Sequence, residues 1–241
     1  MISPNIIKLI NVDSTNSYAL SLKKSEIFKE GLVVTSDFQS NGMGQRNSFW
    51  ESDRGVNLLM SIVVEPNIKI LDQFDLIKIS SLSIAQILES LSIKSKIKWP
   101  NDILVDSQKI AGVLIHNIIS GKILTHSIIG IGLNINQISF DEYSPMATSL
   151  KKLKNNNFNI DDIRSSLIAR FFHNLRLYRS AKDFSDEYQD LLFQKNKIAV
   201  FEDKNKRFNG KIKGVKKNGI LLVELNDKIR EFDLKEIKMI F

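Results

Sequence analysis

Three short segments of this sequence gather residue types that could do chemistry. The first is Gln39-Ser40-Asn41-Gly42-Met43-Gly44-Gln45-Arg46-Asn47-Ser48-Phe49-Trp50. Its two glycines, one residue apart, let a ligand approach the backbone closely and let consecutive amide hydrogens point at anionic oxygens. Taken alone, a Gly-x-Gly of this kind reads first as a flexible surface connection. The second is Lys98-Trp99-Pro100-Asn101-Asp102, followed by Lys109-Ile110-Ala111-Gly112. A tryptophan before proline fixes an extended turn, and the adjoining lysine, asparagine and aspartate form a mixed-charge set able to hold nucleotide, metal and phosphate. Outside such a context Lys98 and Lys109 are ordinary exposed strand residues. The third is Gly130-Ile131-Gly132-Leu133-Asn134-Ile135-Asn136. Glycine weakens a strand interior, so two at alternate positions suggest that something lies flat on the backbone. A planar or fused-ring ligand fits, and so does a bulge or a tightly packed helix.

The elements that must position these segments are legible from periodicity. Capping residues Asp13 to Asn16, followed by Tyr18, Leu20 and Leu22, predict a short helix from Ser14 to Ser25, ended by Gly31. Strands are expected at Leu32 to Phe38 and Val56 to Val64, with the polar stretch from Gln39 to Phe49 as a long loop between them. Apolar residues from Ile70 to Leu91 recur at helical spacing and predict a core-facing helix. Lys94 to Asn136 breaks into β-branched runs, with Ser120 and Gly121 as a hairpin turn. Asp161 to Lys182 carries Ile163, Leu167, Phe171, Leu175 and Tyr178 on one face and predicts a helix lying against that sheet. Beyond about residue 193, short strands at Lys197 to Phe201, Arg207 to Val215, Ile220 to Leu225 and Lys228 to Phe232, with Asn218-Gly219 as a turn, predict a small β-barrel docked on the larger domain.

Composition removes several function classes. A chain of 241 residues, 43% hydrophobic and 25% charged, can bury one sizeable core and a small second one. The absence of cysteine excludes disulfides, a thiolate nucleophile and a cysteine-ligated metal. His116, His126 and His173 show no metal-ligand spacing. No apolar run approaches the roughly 18 residues of a membrane span, and no secretory signal opens the chain, so the expectation is a cytoplasmic protein without a membrane partner. The net charge of +7 would suit an anionic partner, but the lysines are scattered and read as solvated surface.

In their order and spacing these segments resemble the catalytic domain of biotin protein ligases. The matching blocks are Asp13-Ser14-Thr15-Asn16, the Gln39 to Trp50 loop, Lys98 to Asp102, Lys109-Ile110-Ala111-Gly112-Val113-Leu114 and Gly130 to Asn136, spanning about residues 8 to 136. The resemblance implies an α+β fold: a mixed, largely antiparallel sheet packed with helices, related to class II aminoacyl-tRNA synthetases, over residues 1–192. A small SH3-like β-barrel over 193–241 would complete it. It implies an ATP-dependent ligase that forms biotinyl-5'-AMP and transfers biotin to a lysine of a biotin carboxyl carrier protein, of acetyl-CoA carboxylase or a related enzyme, using magnesium.

By the same resemblance, Ser14, Thr15, Asn16 and Gln39, with Gly42, Met43, Gly44 and Gln45 of the loop, would bind the polar end of biotin. Trp50, Gly112, Leu114, Gly130 and Gly132 would line its apolar slot. Lys109 would be the catalytic lysine between the biotin carboxylate and the α-phosphate. Arg46, Lys98, Asn101 and Asn134 would contact the nucleotide, and Asp102 would hold magnesium or orient a lysine. Two departures carry expectations. Met43, Gln45 and Ser48 stand where the family usually has arginines, leaving only Arg46, which implies weaker retention of the adenylate. The catalytic segment starts within about ten residues of Met1, which implies a single-function ligase without a helix-turn-helix domain or a DNA partner, as a monomer or homodimer. The rival readings are a lipoate or octanoate ligase or transferase, and a basic nucleic-acid or scaffold protein that kept the fold without the chemistry.

Overall fold

The larger of two sheets is built on residues buried from both sides. The computed structural model describes residues 3–44, 49–141, 145–204, 206–234 and 236–241. Strand β3 (Leu58–Val64) is buried along its whole length, because both faces of the sheet are covered. Leu58, Met60, Ile62 and Val64 face one apolar cluster together with Phe74 and Leu82, while Val63 joins Ala19, Val34 and Ile128 in a second cluster on the opposite face. The sheet runs β1 (Asn5–Leu9), β2 (Leu32–Ser36), β3, β8 (Ile123–Leu133), β7 (Gln108–Ser120), β6 (Asp102–Val105), β5 (Lys96–Lys98), with the short β4 (Ile68–Lys69) paired to β8. Only β1 and β2 are parallel.

Helix α1 (Thr15–Ser21) lies on the second cluster's face and begins at Ser14, whose side chain caps it by accepting from the Ser17 amide. The other face is covered by α2 (Phe74–Ser90), of which thirteen of seventeen residues are buried. That all-round burial explains one departure from expectation. Helix α4 (Ile160–Arg179), expected against the sheet, packs chiefly on α2, whose outer side would otherwise be bare. Its start is capped by Asn159, which accepts from the Asp161 and Asp162 amides. Two short helices, α3 (Leu150–Lys154) and α5 (Ser185–Asp190), carry no periodic signal and were not anticipated. The β7 to β8 turn also falls one residue later than expected: Ser120 pairs with Ile123, and Gly121 takes the positive-φ position at +59°.

The second sheet is antiparallel, in the order β12 (Lys228–Phe232), β11 (Leu221–Leu225), β10 (Lys206–Val215), β9 (Ile198–Asp203), β13 (Lys238–Ile240). Strand β13 was not read from the sequence. The turn at Asn218-Gly219 docks this sheet onto the first. A side chain at Gly219 would stand 2.4 Å from the Phe74 ring, and the Gly219 carbonyl accepts from Trp99 Nε1 at 2.9 Å. Lys78, almost fully buried on α2, reaches the Lys217 carbonyl at 3.4 Å, and pairs with Asp75 and Ser185, each at 2.9 Å. Among the described residues no helix is long and apolar enough to cross a membrane.

Candidate active site

The site begins as a flat place in the first sheet. Ala111, Val113, Ile129, Ile131 and Leu133 point into the cluster under α2, so Gly112, Gly130 and Gly132 face the α1 side. Gly132 pairs with Gly112, and Gly130 with Leu114 on one side and Ser61 on the other. Three missing side chains leave a depression. The groups lying flat in it are the protein's own: the Trp50 indole, 2.4 Å from where a Cβ on Gly132 would stand, and the Asn16 amide, 2.6 Å from that of Gly130. Gly132→Ala would therefore drive a methyl group into the indole. The expected cost is about 1–3 kcal/mol in urea unfolding, with a shifted tryptophan emission; unchanged stability and emission would show that the indole is not held there.

The polar wall comes from the start of α1 and from the glycine loop. Thr15 donates both its amide and its hydroxyl to Gln39 Oε1, at 2.8 and 3.0 Å, which fixes the carboxamide with its oxygen inward. The loop is clasped at its base, where the Trp50 amide donates to the Gly42 carbonyl at 2.8 Å and Met43 bridges Phe49. Ser14, Thr15, Asn16, Gln39, Met43, Gly44, Trp50, Gly112, Leu114, Gly130 and Gly132 all line one slot of about 50 Å³. Gly42 does not; its place is at the clasp, where a Cβ would come within 2.8 Å of the Trp50 carbonyl. Gln45 and Arg46 lie outside the described residues. The sequence reading missed Met60, Val113 and Ile131 in the slot, all apolar strand residues without a distinguishing signal.

Lys109 stands where the slot opens into a larger cavity of about 380 Å³; both are lined by Trp50, Asn101, Asp102 and Lys109. A bulge sets it there. Ile103 pairs with Ala111 and Leu104 with Lys109, so Ile110 is the extra residue, and the strand is re-aimed at this point. The connection at Met146 to Thr148 holds the bulge, with the Lys109 amide donating to the Met146 carbonyl at 2.7 Å and its carbonyl accepting from Thr148 at 2.9 Å. Lys109 Nζ lies 2.7 Å from Asp102 Oδ1 and 5.3 Å from the centre of the Trp50 ring.

Asp102 also holds Lys98, at 3.5 Å from its other oxygen. Burial pushes the Lys98 ammonium below the ordinary lysine value; Asp102 opposes that shift, while Lys109 and Lys238 add to it. Both Asp102 oxygens are thus engaged by ammonium groups, Oδ1 by Lys109 and Oδ2 by Lys98. Among the described residues no group of three or more acidic or histidine side chains is arranged for a metal. Asn101 donates to the Val113 carbonyl, tying the Trp99-Pro100-Asn101 turn to β7. Asn134, which lines the larger cavity, donates Nδ2 to the Thr148 carbonyl at 3.0 Å, and its buried Oδ1 has no hydrogen-bond partner among the described residues.

The larger cavity is closed on its far side by the second sheet, through Phe201, Ile212, Leu221, Ile237, Lys238 and Met239. None of these was a candidate, because nothing local in a short β tail says which larger surface it will meet. The arrangement brings a small slot with polar end groups and a larger, mixed cavity to one ammonium group. It can hold two anions together at that point, which neither compartment could do by itself.

Comparison with known proteins bears on which anions these are. The profile of the Biotin/lipoate A/B protein ligase family matches residues 8–134. The bifunctional ligase/repressor BirA of Bacillus spizizenii is 27% identical over 237 residues, covering 95% of this chain and 72% of that protein. The biotin--[acetyl-CoA-carboxylase] ligase of Mycobacterium tuberculosis is 27% identical over 145 residues, covering 58% of this chain and 52% of that protein. Among solved structures, the biotin protein ligase from Aquifex aeolicus in complex with biotin and ATP superposes with a TM-score of 0.79 at 24% identity, covering 98% of both chains. At that identity the superposition speaks for the fold.

Proposed function

The chain belongs to the Biotin/lipoate A/B protein ligase family, and from that premise and the two joined compartments we propose that it is a biotin protein ligase acting in the cytoplasm. It converts biotin and ATP to biotinyl-5'-AMP and pyrophosphate, then transfers the biotinyl group to a lysine of a biotin carboxyl carrier protein or domain. The observation that carries this reading is Lys109 at the mouth between the compartments. The names of the relatives, among them ligases of acetyl-CoA carboxylase, support the choice of carrier.

In this reading residues 1–192 form the catalytic domain and 193–241 an SH3-like barrel that closes the nucleotide side. The ring system of biotin takes the slot beside Trp50, Gly112, Leu114, Gly130 and Gly132, with its polar end toward Ser14, Thr15, Asn16, Gln39 and the backbone of Met43 and Gly44. ATP takes the larger cavity, with Lys98 and Asn101 at its phosphates and base and Asn134 accepting a hydrogen from it. A carboxylate oxygen of biotin attacks the α-phosphorus, and pyrophosphate leaves. The two anions repel, and the Lys109 ammonium offsets that repulsion as charge builds. Asp102 holds the ammonium in place until the substrates take over. The carrier amine then attacks the acyl carbon, AMP leaves, and the amine gives up its proton. Magnesium would enter as part of the ATP substrate and supply charge neutralisation at the pyrophosphate; Asp102, paired with two lysines, would hold it only after releasing one of them.

Incubation with biotin, MgATP and a carrier domain, followed by intact-mass measurement, tests the whole reading. The expected result is one biotinyl group added to the carrier, and none when ATP is omitted. Modification with lipoate and not with biotin would overturn the choice of substrate.

A further inference from the structure

Behind the slot, Ser61 of β3 is fully buried in a strand of otherwise apolar residues. It pairs with Gly130, and this pair without bulk is the seat into which the Asn16 side chain fits. Ser61 Oγ lies 2.7 Å from Thr15 Oγ1 and 2.6 Å from Asn16 Oδ1. A hydroxyl has one proton, so it donates to one of the two at a time. The partners are otherwise committed. The Thr15 proton goes to Gln39 Oε1 at 3.0 Å, and Asn16 Nδ2 donates to the Leu114 carbonyl at 3.2 Å, which turns Asn16 Oδ1 toward Ser61.

Counting protons shows what this wall presents. Among the described residues, Thr15 Oγ1 keeps a lone pair, Asn16 Nδ2 keeps a second hydrogen, and Gln39 Nε2, opposite the oxygen held by Thr15, keeps its hydrogens. That is one acceptor beside donors, the complement of a group with an N–H beside a carbonyl. We infer that Ser61 is a positioning residue for recognition of such a cyclic urea, an inference that rests on the biotin ligase reading. When the ligand's N–H occupies the Thr15 lone pair, the Ser61 proton turns to Asn16 Oδ1. One hydroxyl thereby serves the two oxygens in turn: Asn16 Oδ1 goes without a hydrogen in the free state and receives the Ser61 proton when the ligand takes the Thr15 lone pair. Without the Ser61 hydroxyl, Asn16 Oδ1 loses its donor among the described residues, and the orientation of the amide rests on the Leu114 carbonyl alone.

The test is biotin-dependent exchange of pyrophosphate into ATP by the full chain carrying Ser61→Ala, Ser61→Cys or Thr15→Val. Ser61→Ala is expected to raise KM for biotin about 10-fold while changing KM for ATP less than about twofold. Ser61→Cys, close in size with a weak donor, falls between Ser61→Ala and the parent, and carries the comparison should Ser61→Ala fail to fold. Combined with Thr15→Val, Ser61→Ala should add less than its separate factor, because the two act as a unit. Parallel changes in both KM values, or fully multiplicative effects of the two substitutions, would mark Ser61 as merely structural and overturn the inference. A parent protein with no biotin-dependent exchange would overturn the ligase reading itself and this inference with it, a failure distinct from the other two.

Discussion

Lys109→Ala is expected to lower biotin-dependent pyrophosphate exchange by a factor of about 10²–10³ or more, the scale on which loss of one preorganised charge-stabilising group acts. The fold should survive. The side chain is 29% exposed and among the described residues pairs with one carboxylate, that of Asp102, which keeps Lys98, so removal of the Lys109 ammonium leaves no charge stranded in the core. Melting temperature within a few degrees of the parent, together with lost exchange, is the expected pair of results. Lys109→Met keeps most of the length and the contact with Trp50 and should lose as much activity, which separates charge from packing. Exchange near the parent rate in either variant would refute the assignment of Lys109.

The second large effect concerns stability. Asp75→Ala removes the carboxylate partner of Lys78, whose side chain is 2% exposed, and leaves an ammonium group buried against Ser185 Oγ, the Lys217 carbonyl and the Phe74 ring. Breaking a buried pair from one side costs about 3–5 kcal/mol. Tyr178 loses its acceptor as well, since its hydroxyl donates to Asp75 Oδ2 at 3.0 Å. For a chain of this length the melting temperature should fall by about 10 °C. Replacing both charges, Asp75→Leu with Lys78→Met, should recover most of the loss, because a well-packed apolar pair substitutes for a buried ion pair at little cost. A fall of under about 1 kcal/mol for Asp75→Ala, read from urea unfolding, would mean that water reaches Lys78.

The two kinds of residue in the site differ in how visible they are in the sequence. Glycine at 112, 130 and 132 is legible because a strand has little other reason to contain it, and alternate spacing places Gly130 and Gly132 on one face. What lies on them was not legible: the Trp50 indole on Gly112 and Gly132 arrives from a loop far earlier in the chain, with its course set by the Gly42 clasp, and Asn16 lies on Gly130. Lys109 was read from its place in a motif, while the bulge that aims it depends on pairing between β6 and β7 and leaves no mark on composition. Ser61 looked like one polar residue in a buried strand, and its importance depends on Asn16 and Thr15, forty-five and forty-six residues away. The other strands and the long helices followed from periodicity, whereas β1, α3, α5, β4 and β13 were not read: they are two to six residues long, too short to show a period.

The docking of the Asn218-Gly219 turn has a consequence for engineering. A chimera that took residues 193–241 from a relative would exchange one wall of the larger cavity and, in the same cut, the carbonyl that receives the Trp99 indole hydrogen. The tail is thus not an interchangeable accessory. Any graft has to be matched to its new host at Phe74 and Lys78, one turn apart on α2, and at Trp99 beyond it, all of which meet the same short loop.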